Sequence, residues 1–445
     1  MKLIRTIPVL AVLLFALSGC TFPSGDDLLA APKPSANYQT LQVELENLLS
    51  SGVTYTAPTD GENRSPIQLV DLDGDGADEA IAFFRGSSSV TSNAFKVYVY
   101  KKQDQQYVCT GAIEGKGTAI LSVDYPTITP AGRRGMLIAW KLPGDGVGAL
   151  TMCDFDKNCA PGLLLETEYS AMELADLTGD GAKDLLLITN NPAGQRVARL
   201  YQYHIGLDLV GEAATSAEAV SVERMTSGRV QKNQPAVFAE QKTTSGVGLT
   251  TDIFVYEDGT LQNLALDSED SIHRGTYRPV SVYAADINGD GVTELPRAVL
   301  MAGYDEAAAT DALFMLDWYV YSVDRPPVLM MTTYQNVSDG WMFKIDAEWH
   351  DQITAVKTSE SGISAVEFAQ YIGGGQQIPL FTIYCVTGTL RDYYIGRTDL
   401  LQLGQTSQAV YFARFSEDAQ QSAIQIDANG VKERFSLLTQ AWSNE

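Results

Sequence analysis

Short apolar runs separated by polar turns recur along most of this chain. Within the runs, apolar and polar residues alternate, and β-branched and aromatic residues are frequent, which predicts strands. One signature repeats: an alternating apolar strand, a polar turn, then another strand. It begins near Lys96-Val97-Tyr98-Val99-Tyr100, Gly148-Ala149-Leu150-Thr151-Met152 and Arg199-Leu200-Tyr201-Gln202-Tyr203. It continues at Asp252-Ile253-Phe254-Val255-Tyr256, Trp318-Tyr319-Val320-Tyr321, Phe381-Thr382-Ile383-Tyr384 and Ser422-Ala423-Ile424-Gln425-Ile426. The copies centre on residues 98, 150, 201, 254, 319, 383 and 424, so the steps run from 41 to 65 residues. Seven units of that size predict an all-β chain over residues 53–445, arranged as a seven-bladed β-propeller. Closure of such an array removes exposed sheet edges. One stretch has a helical period instead. In 37–52, Tyr38, Leu41, Leu45, Leu48 and Leu49 share a face and Gly52 supplies a stop, so a short helix docks on the main domain.

Three of the polar turns share a stricter pattern. They are Asp71-Leu72-Asp73-Gly74-Asp75-Gly76-Ala77-Asp78-Glu79, Asp176-Leu177-Thr178-Gly179-Asp180-Gly181-Ala182-Lys183-Asp184 and Asp286-Ile287-Asn288-Gly289-Asp290-Gly291-Val292-Thr293-Glu294. Oxygen side chains stand at positions 1, 3, 5 and 9, and glycine at 4 and 6. Alternate side chains can then point at one cation while glycine permits the tight turn. The carbonyls of Ala77, Ala182 and Val292 at position 7 add further oxygens. Calcium accepts many oxygens in loose geometry, whereas zinc would want His or Cys, which these nine-residue loops lack. Loop one offers four carboxylates and the others three each, so charge counting ranks loop one tightest. Apolar stretches flank every loop: Ile67 to Val70, Met172 to Ala175 and Val280 to Ala285 before, Ala80 to Phe84, Leu185 to Ile188 and Ala298 to Met301 after.

These strand-flanked loops resemble the calcium loops of FG-GAP and VCBS-type repeats, which build integrin-like β-propellers. The resemblance covers the three loops and their flanks; the Phe-Gly and Gly-Ala-Pro signatures are absent. It implies a recognition or adhesion role. The first aspartates lie 105 and 110 residues apart, about two units, so the loops occupy the first, third and fifth units. The second and fourth units carry degenerate counterparts, in Ser122 to Gly135 and Ser221 to Arg229, where arginines replace the third carboxylate. The sixth carries Asp346 to Asp351 without the glycines.

Lys2, Arg5 and the apolar run Ile7 to Leu17 read as a signal peptide over 1–19, too short for a typical membrane span. Leu17-Ser18-Gly19-Cys20 resembles the bacterial lipobox, which implies a diacylated Cys20 and a stable membrane anchor facing the extracytoplasmic side. The Pro- and Ser-bearing segment 20–36 reads as a flexible tether. No other stretch approaches the ~18 apolar residues of a membrane helix. Without residues 1–19, which hold two basic residues and no acid, 29 basic face 55 acidic residues. That excess argues against nucleic acid, whose phosphates it would repel. In an exported chain a Cys153–Cys159 disulfide could clip the turn between them. Cys109 and Cys385 read as small buried apolar residues. His204, His273 and His350 are isolated, and neither His-Glu-x-x-His nor Gly-x-Ser-x-Gly occurs. The composite expectation is a lipid-anchored calcium-binding propeller that binds an extracellular protein or glycan. The alternative is a calcium-dependent polysaccharide lyase or hydrolase on the same scaffold.

The anchor has a direct test. Cys20→Ala should abolish labelling by a fatty-acid analogue and release the protein from the membrane; a label retained on the variant would refute lipidation.

Overall fold

The computed structural model describes residues 36–86, 95–266, 275–305 and 312–438, apart from 105, 145, 245, 247, 361, 396 and 398. The signal peptide, Cys20, the tether up to Ser35 and His273 lie outside these residues. The described chain is mostly β. Six antiparallel sheets of four or five strands hold all the named strands, and short helices are few. The chain divides into two compact units. One contains the helix, the first sheet and the turn 156–161; the other contains 58–64, 116–155 and everything from 162 onward.

In the first unit, the helix Ala36–Ser50 lies where its period places it. Leu41 and Leu45 are buried against Ala80, Ala82, Phe84, Tyr100 and Tyr107, with Leu48 beside them. Leu49 faces outward, off the buried stripe. Gly52 follows the helix at φ 91°, a left-handed conformation that stops it without strain. The sheet's inner strands are Glu79–Gly86 and Phe95–Gln103.

In the second unit, each sheet packs on the next, and the inner strands show how. Asp184–Asn190 contributes Leu185 and Leu187 to a cluster with Leu137, Leu150 and Met152 of the sheet before it. Its Leu186 and Ile188 join Val237, Ala239 and Phe254 of the sheet after it. Successive side chains leave a strand on opposite faces, so burial on both faces requires an unbroken apolar run. The next interface joins Phe238, Ile253 and Val255 to Leu295 and Tyr321. The last is aromatic: Tyr334, Trp341 and Phe343 against Phe368 and Phe381.

Six of the seven repeated strands form inside these sheets; the seventh does not. Ser422 to Ile426 has no strand partner and sits between the short helices Glu417–Gln421 and Ala428–Arg434. Its polar groups bind Gln370 instead: the Ser422 hydroxyl at 2.7 Å and the Ala423 amide at 2.9 Å, both to Oε1. The chain then returns to the fifth sheet, where Phe435–Leu437 pairs with Trp341–Phe343. The sheets therefore number six rather than seven among the described residues. Two further expectations change. Residues 221–229 are not a loop but part of the long strand Ala219–Gln231, hairpinned to Gln234–Thr243. The strand expected before loop three shrinks to the single bridge Ala285–Glu294. Its backbone is committed elsewhere, since Ala284 donates its N–H to the Glu240 carboxylate at 2.7 Å.

Glu240 is the centre of a buried polar network. It is 1% exposed and pairs with Arg278, which is fully buried, through Nη2 at 2.5 Å. Thr251 donates its hydroxyl to the same oxygen, and the Arg278 Nη1 reaches Thr251 Oγ1 at 2.9 Å. Desolvating such a pair is costly, but leaving one partner alone is costlier. Arg278→Met should therefore lose about 3–5 kcal/mol in urea unfolding. Adding Glu240→Gln, which removes the stranded charge and keeps an acceptor for Ala284, should recover part of that loss.

Candidate metal centre

The three repeated loops adopt one backbone conformation. In each, both glycines are left-handed, with φ of 78° and 83° in loop one, 76° and 89° in loop two, and 78° and 85° in loop three. L side chains avoid that region, so the glycines are a geometric requirement here. The position-1 aspartate accepts the amides of both glycines in every case. Asp71 accepts from Gly74 at 2.7 Å and Gly76 at 3.1 Å. Asp176 accepts from Gly179 and Gly181 at 2.7 and 3.0 Å, and Asp286 from Gly289 and Gly291 at 2.7 and 2.8 Å. The position-5 aspartates Asp75, Asp180 and Asp290 accept the N–H of Ala77, Ala182 and Val292 at 2.7–2.8 Å.

Two of the position-9 carboxylates, Glu79 and Asp184, begin the strands that follow, and Glu294 stands just before the strand Leu295–Leu300. Glu79, Asp184 and Glu294 are at most 1% exposed, and each accepts the N–H of position 2, from Leu72, Leu177 and Ile287, at 2.9–3.0 Å. Burial disfavours their charged forms. It raises Glu79, pushes Asp184 up to about 6 and pushes Glu294 up to about 7. The neighbouring aspartates add to this, Asp180 against Asp184, and Asp290 and Asp286 against Glu294. A divalent cation would relieve both penalties at once.

Position 3 separates the loops. In loop two, Thr178 donates its hydroxyl to Asp184 at 3.1 Å. In loop three, Asn288 donates its amide to Glu294 at 2.7 Å. Asp73 in loop one has no proton to give, and the second oxygen of Glu79, Oε1, is buried with no hydrogen-bond partner. Two groups approach Asp73 instead. The Lys101 ammonium binds its Oδ2 and lies 3.4 Å from Asp75 Oδ2. The Cys159 thiol reaches Asp73 Oδ2 at 3.3 Å. Burial works against the Asp73 charge, but the bonds from Lys101 and Cys159 outweigh it and hold the carboxyl below its ordinary range. The bond to Asp73 also raises the Lys101 ammonium, against the opposing effect of burial.

Charge counting leaves out a group that the structure places at loop one, the Lys101 ammonium, which already meets part of its negative charge. The equivalent position on the next strand is Gln202 for loop two, one residue beyond the Leu185–Tyr201 pair, and Val320 for loop three, beyond Leu295–Tyr319. Gln202 donates to Thr178 and Asp180, both at 3.0 Å, and brings no charge. The sequence pattern misses Lys101, Gln202 and Cys159. Strand register could have found the first two, one place past the apolar run. Nothing marks Cys159, which arrives from a distant turn.

The Cys153–Cys159 bridge is not formed. Both thiols are free and buried, Cys153 within the strand Gly148–Phe155 and Cys159 turned to Asp73. Cys385 is buried as expected, but Cys109 is exposed. Arg133, which stands in the second unit's degenerate loop, is spent on structure: it binds Tyr203 Oη at 2.8 Å and Asp154 Oδ2 at 2.9 Å.

No protein-family model matches this chain, and no curated protein does. Two solved structures are among its structural neighbours. The exo-β-1,3-galactanase of Phanerochaete chrysosporium, solved with galactose, aligns at a TM-score of 0.24 and 10% identity, over 76% of this chain and 80% of that one. A triple arginine mutant of AofleA from Arthrobotrys oligospora aligns at 0.23 and 10%, over 74% and 90%.

The raised carboxylates give a pH signature. Their folded pKa values exceed the unfolded ones, so the folded state binds protons more tightly. That contribution is fully present below the unfolded values, near 4, and is lost as pH rises through about 6 for Asp184 and about 7 for Glu294. With a chelator present, the melting temperature should fall across that window. With calcium it should fall less, so the calcium-induced shift should grow with pH. Melting curves at several pH values check this; a shift independent of pH would argue against these two carboxylates as ligands.

Proposed function

We propose that this chain is an extracytoplasmic, lipid-anchored β-propeller of the FG-GAP/VCBS type, holding calcium in loops two and three and recognising a protein or glycan. The carrying observation is the cradle those two loops share. In each, the carboxylates at positions 1, 5 and 9 are held by backbone amides, the position-9 acid is buried, and no basic side chain bonds to it among the described residues. Asp176, Thr178, Asp180, the Ala182 carbonyl and Asp184 would hold one ion. Asp286, Asn288, Asp290, the Val292 carbonyl and Glu294 would hold the other. Calcium has no redox role here; it ties two strands together and stiffens the loop that joins them.

The propeller part of the reading is supported by six antiparallel sheets, one for each of six repeats, and by inner strands such as Asp184–Asn190 that are buried on both faces. The recognition part is supported by the lack of any His-Glu-x-x-His or nucleophile motif and by the acidic charge, which favours neither nucleic acid nor an anionic membrane surface. The anchor keeps the module at the membrane, where its partners would be surface proteins or glycans.

Calorimetric titration tests the metal part. Calcium should fill loops two and three, and Asp180→Asn and Asp290→Asn should each remove one site. Asp75→Asn should leave calcium uptake unchanged. At a free concentration of ~100 Kd, each site should stabilise the fold by about 2.7 kcal/mol. No uptake at millimolar calcium would mean that the loops are only turns. For the recognition part, retention on a surface extract should persist in calcium and be lost in chelator.

A further inference from the structure

Loop one is built differently from its two siblings, and the difference is chemical. Its position-9 acid, Glu79, is 1% exposed and leaves Oε1 without a partner, whereas the Thr178 hydroxyl lies 3.3 Å from the equivalent oxygen of Asp184, and Asn288 donates to that of Glu294. Beside it stand Asp73 and the buried thiol of Cys159, and the ligand atoms of all three lie within 4.8 Å of one another. The thiol is held there by its own turn. Cys159 adopts φ 57°, and its N–H bonds the Asp156 carbonyl at 2.9 Å. Asp156 Oδ1 accepts the flanking amides of Asn158 and Ala160 at 2.8 and 2.9 Å. Thr110 donates its hydroxyl to the Cys159 carbonyl at 2.7 Å. All these residues belong to one compact unit.

We propose that Cys159, Asp73 and Glu79 form a site for a thiophilic divalent cation of the zinc class, distinct in ligand chemistry from the calcium loops. Calcium prefers oxygen and gains little from sulfur, whereas zinc takes thiolate and carboxylate together. Two tetrahedral ligands, one sulfur and one oxygen, stand about 3.6 Å apart around zinc. Sγ of Cys159 and Oδ2 of Asp73 are already 3.3 Å apart. The Lys101 ammonium marks the place of positive charge: it binds Asp73 and lies 3.7 Å from Sγ of Cys159. The metal displaces it, and the Lys157 carbonyl, already 3.3 Å from Nζ, remains as its partner. Binding is an exchange: the thiol releases one proton as the metal–sulfur bond forms. The site does not rest on calcium in loops two and three, so either reading can fail without the other.

The test uses cobalt(II) as the probe on the full chain under reducing conditions. One equivalent should produce the near-ultraviolet charge-transfer band of a cobalt–thiolate bond. Zinc should bleach it, and a large excess of calcium should not. Cys159→Ser should abolish the band, while Cys109→Ser and Cys153→Ser keep it. Changes beyond the ligands themselves already cost ~10–100-fold in metal affinity, so Cys159→Ser should weaken zinc binding by at least that much. Lys101→Met should tighten it, since no ammonium competes. Should Cys159→Ser fail to fold, alkylation of the wild type decides: zinc should protect Cys159 and leave Cys109 reactive. Cobalt bound with no thiolate band, a band that survives Cys159→Ser, or bleaching by calcium would overturn the proposal.

Discussion

An inner strand buried on both faces has no room for charge along its length. That constraint shapes this chain. Leu185 to Ile188 face apolar neighbours on both sides, and Ala80 to Phe84 are buried throughout, so the charged chemistry is pushed to the strand ends. Glu79, Asp184 and Glu294 each stand at such an end, where the strand meets the loop. Their burial follows from the strand they begin or adjoin, and their elevated proton affinity follows from that burial. The candidate metal chemistry is thus a consequence of how the sheets pack.

The fourth sheet breaks this rule and shows what breaking it requires. Glu240 and Asp252 lie inside its inner strands, both at most 1% exposed. Every oxygen of Glu240 meets a donor, from Arg278, Thr251 or Ala284. Asp252 draws on Ser216 and Gln241 without a countercharge. This network ties Arg278 and Ala284 to the fourth sheet, where Arg278 also bridges Leu249, so the segment before loop three is committed to that sheet.

Much of the fold is legible because alternation of apolar and polar residues marks a strand, and six of the seven repeats found that way form strands in the sheets. The seventh failed since alternation in Ser422 to Ile426 is short and its polar members found Gln370 rather than a neighbouring strand. The loops were legible too, because glycine at φ near 80° admits few substitutes. What the pattern could not carry were contacts between distant segments. Cys159 lies 86 residues from Asp73 in the chain, and its nearness depends on the turn that Asp156 ties. Closeness in sequence alone suggests the Cys153–Cys159 bridge, whereas in the structure the Cys159 thiol meets Asp73.

The three loops then read as one scaffold with three answers to the same problem. Each must place several carboxylates within a few ångströms, and each needs positive charge or protons to do so. Loop two supplies a hydroxyl from Thr178, and loop three an amide from Asn288; both are neutral and leave the charge for an ion to neutralise. Loop one spends a whole ammonium, from Lys101, and still leaves an oxygen of Glu79 unmet. Replacing a donor at position 3 by a carboxylate therefore does more than add a ligand. It removes the partner of position 9, and the groups that gather to compensate, an amine and a thiol, change which cation the loop can prefer.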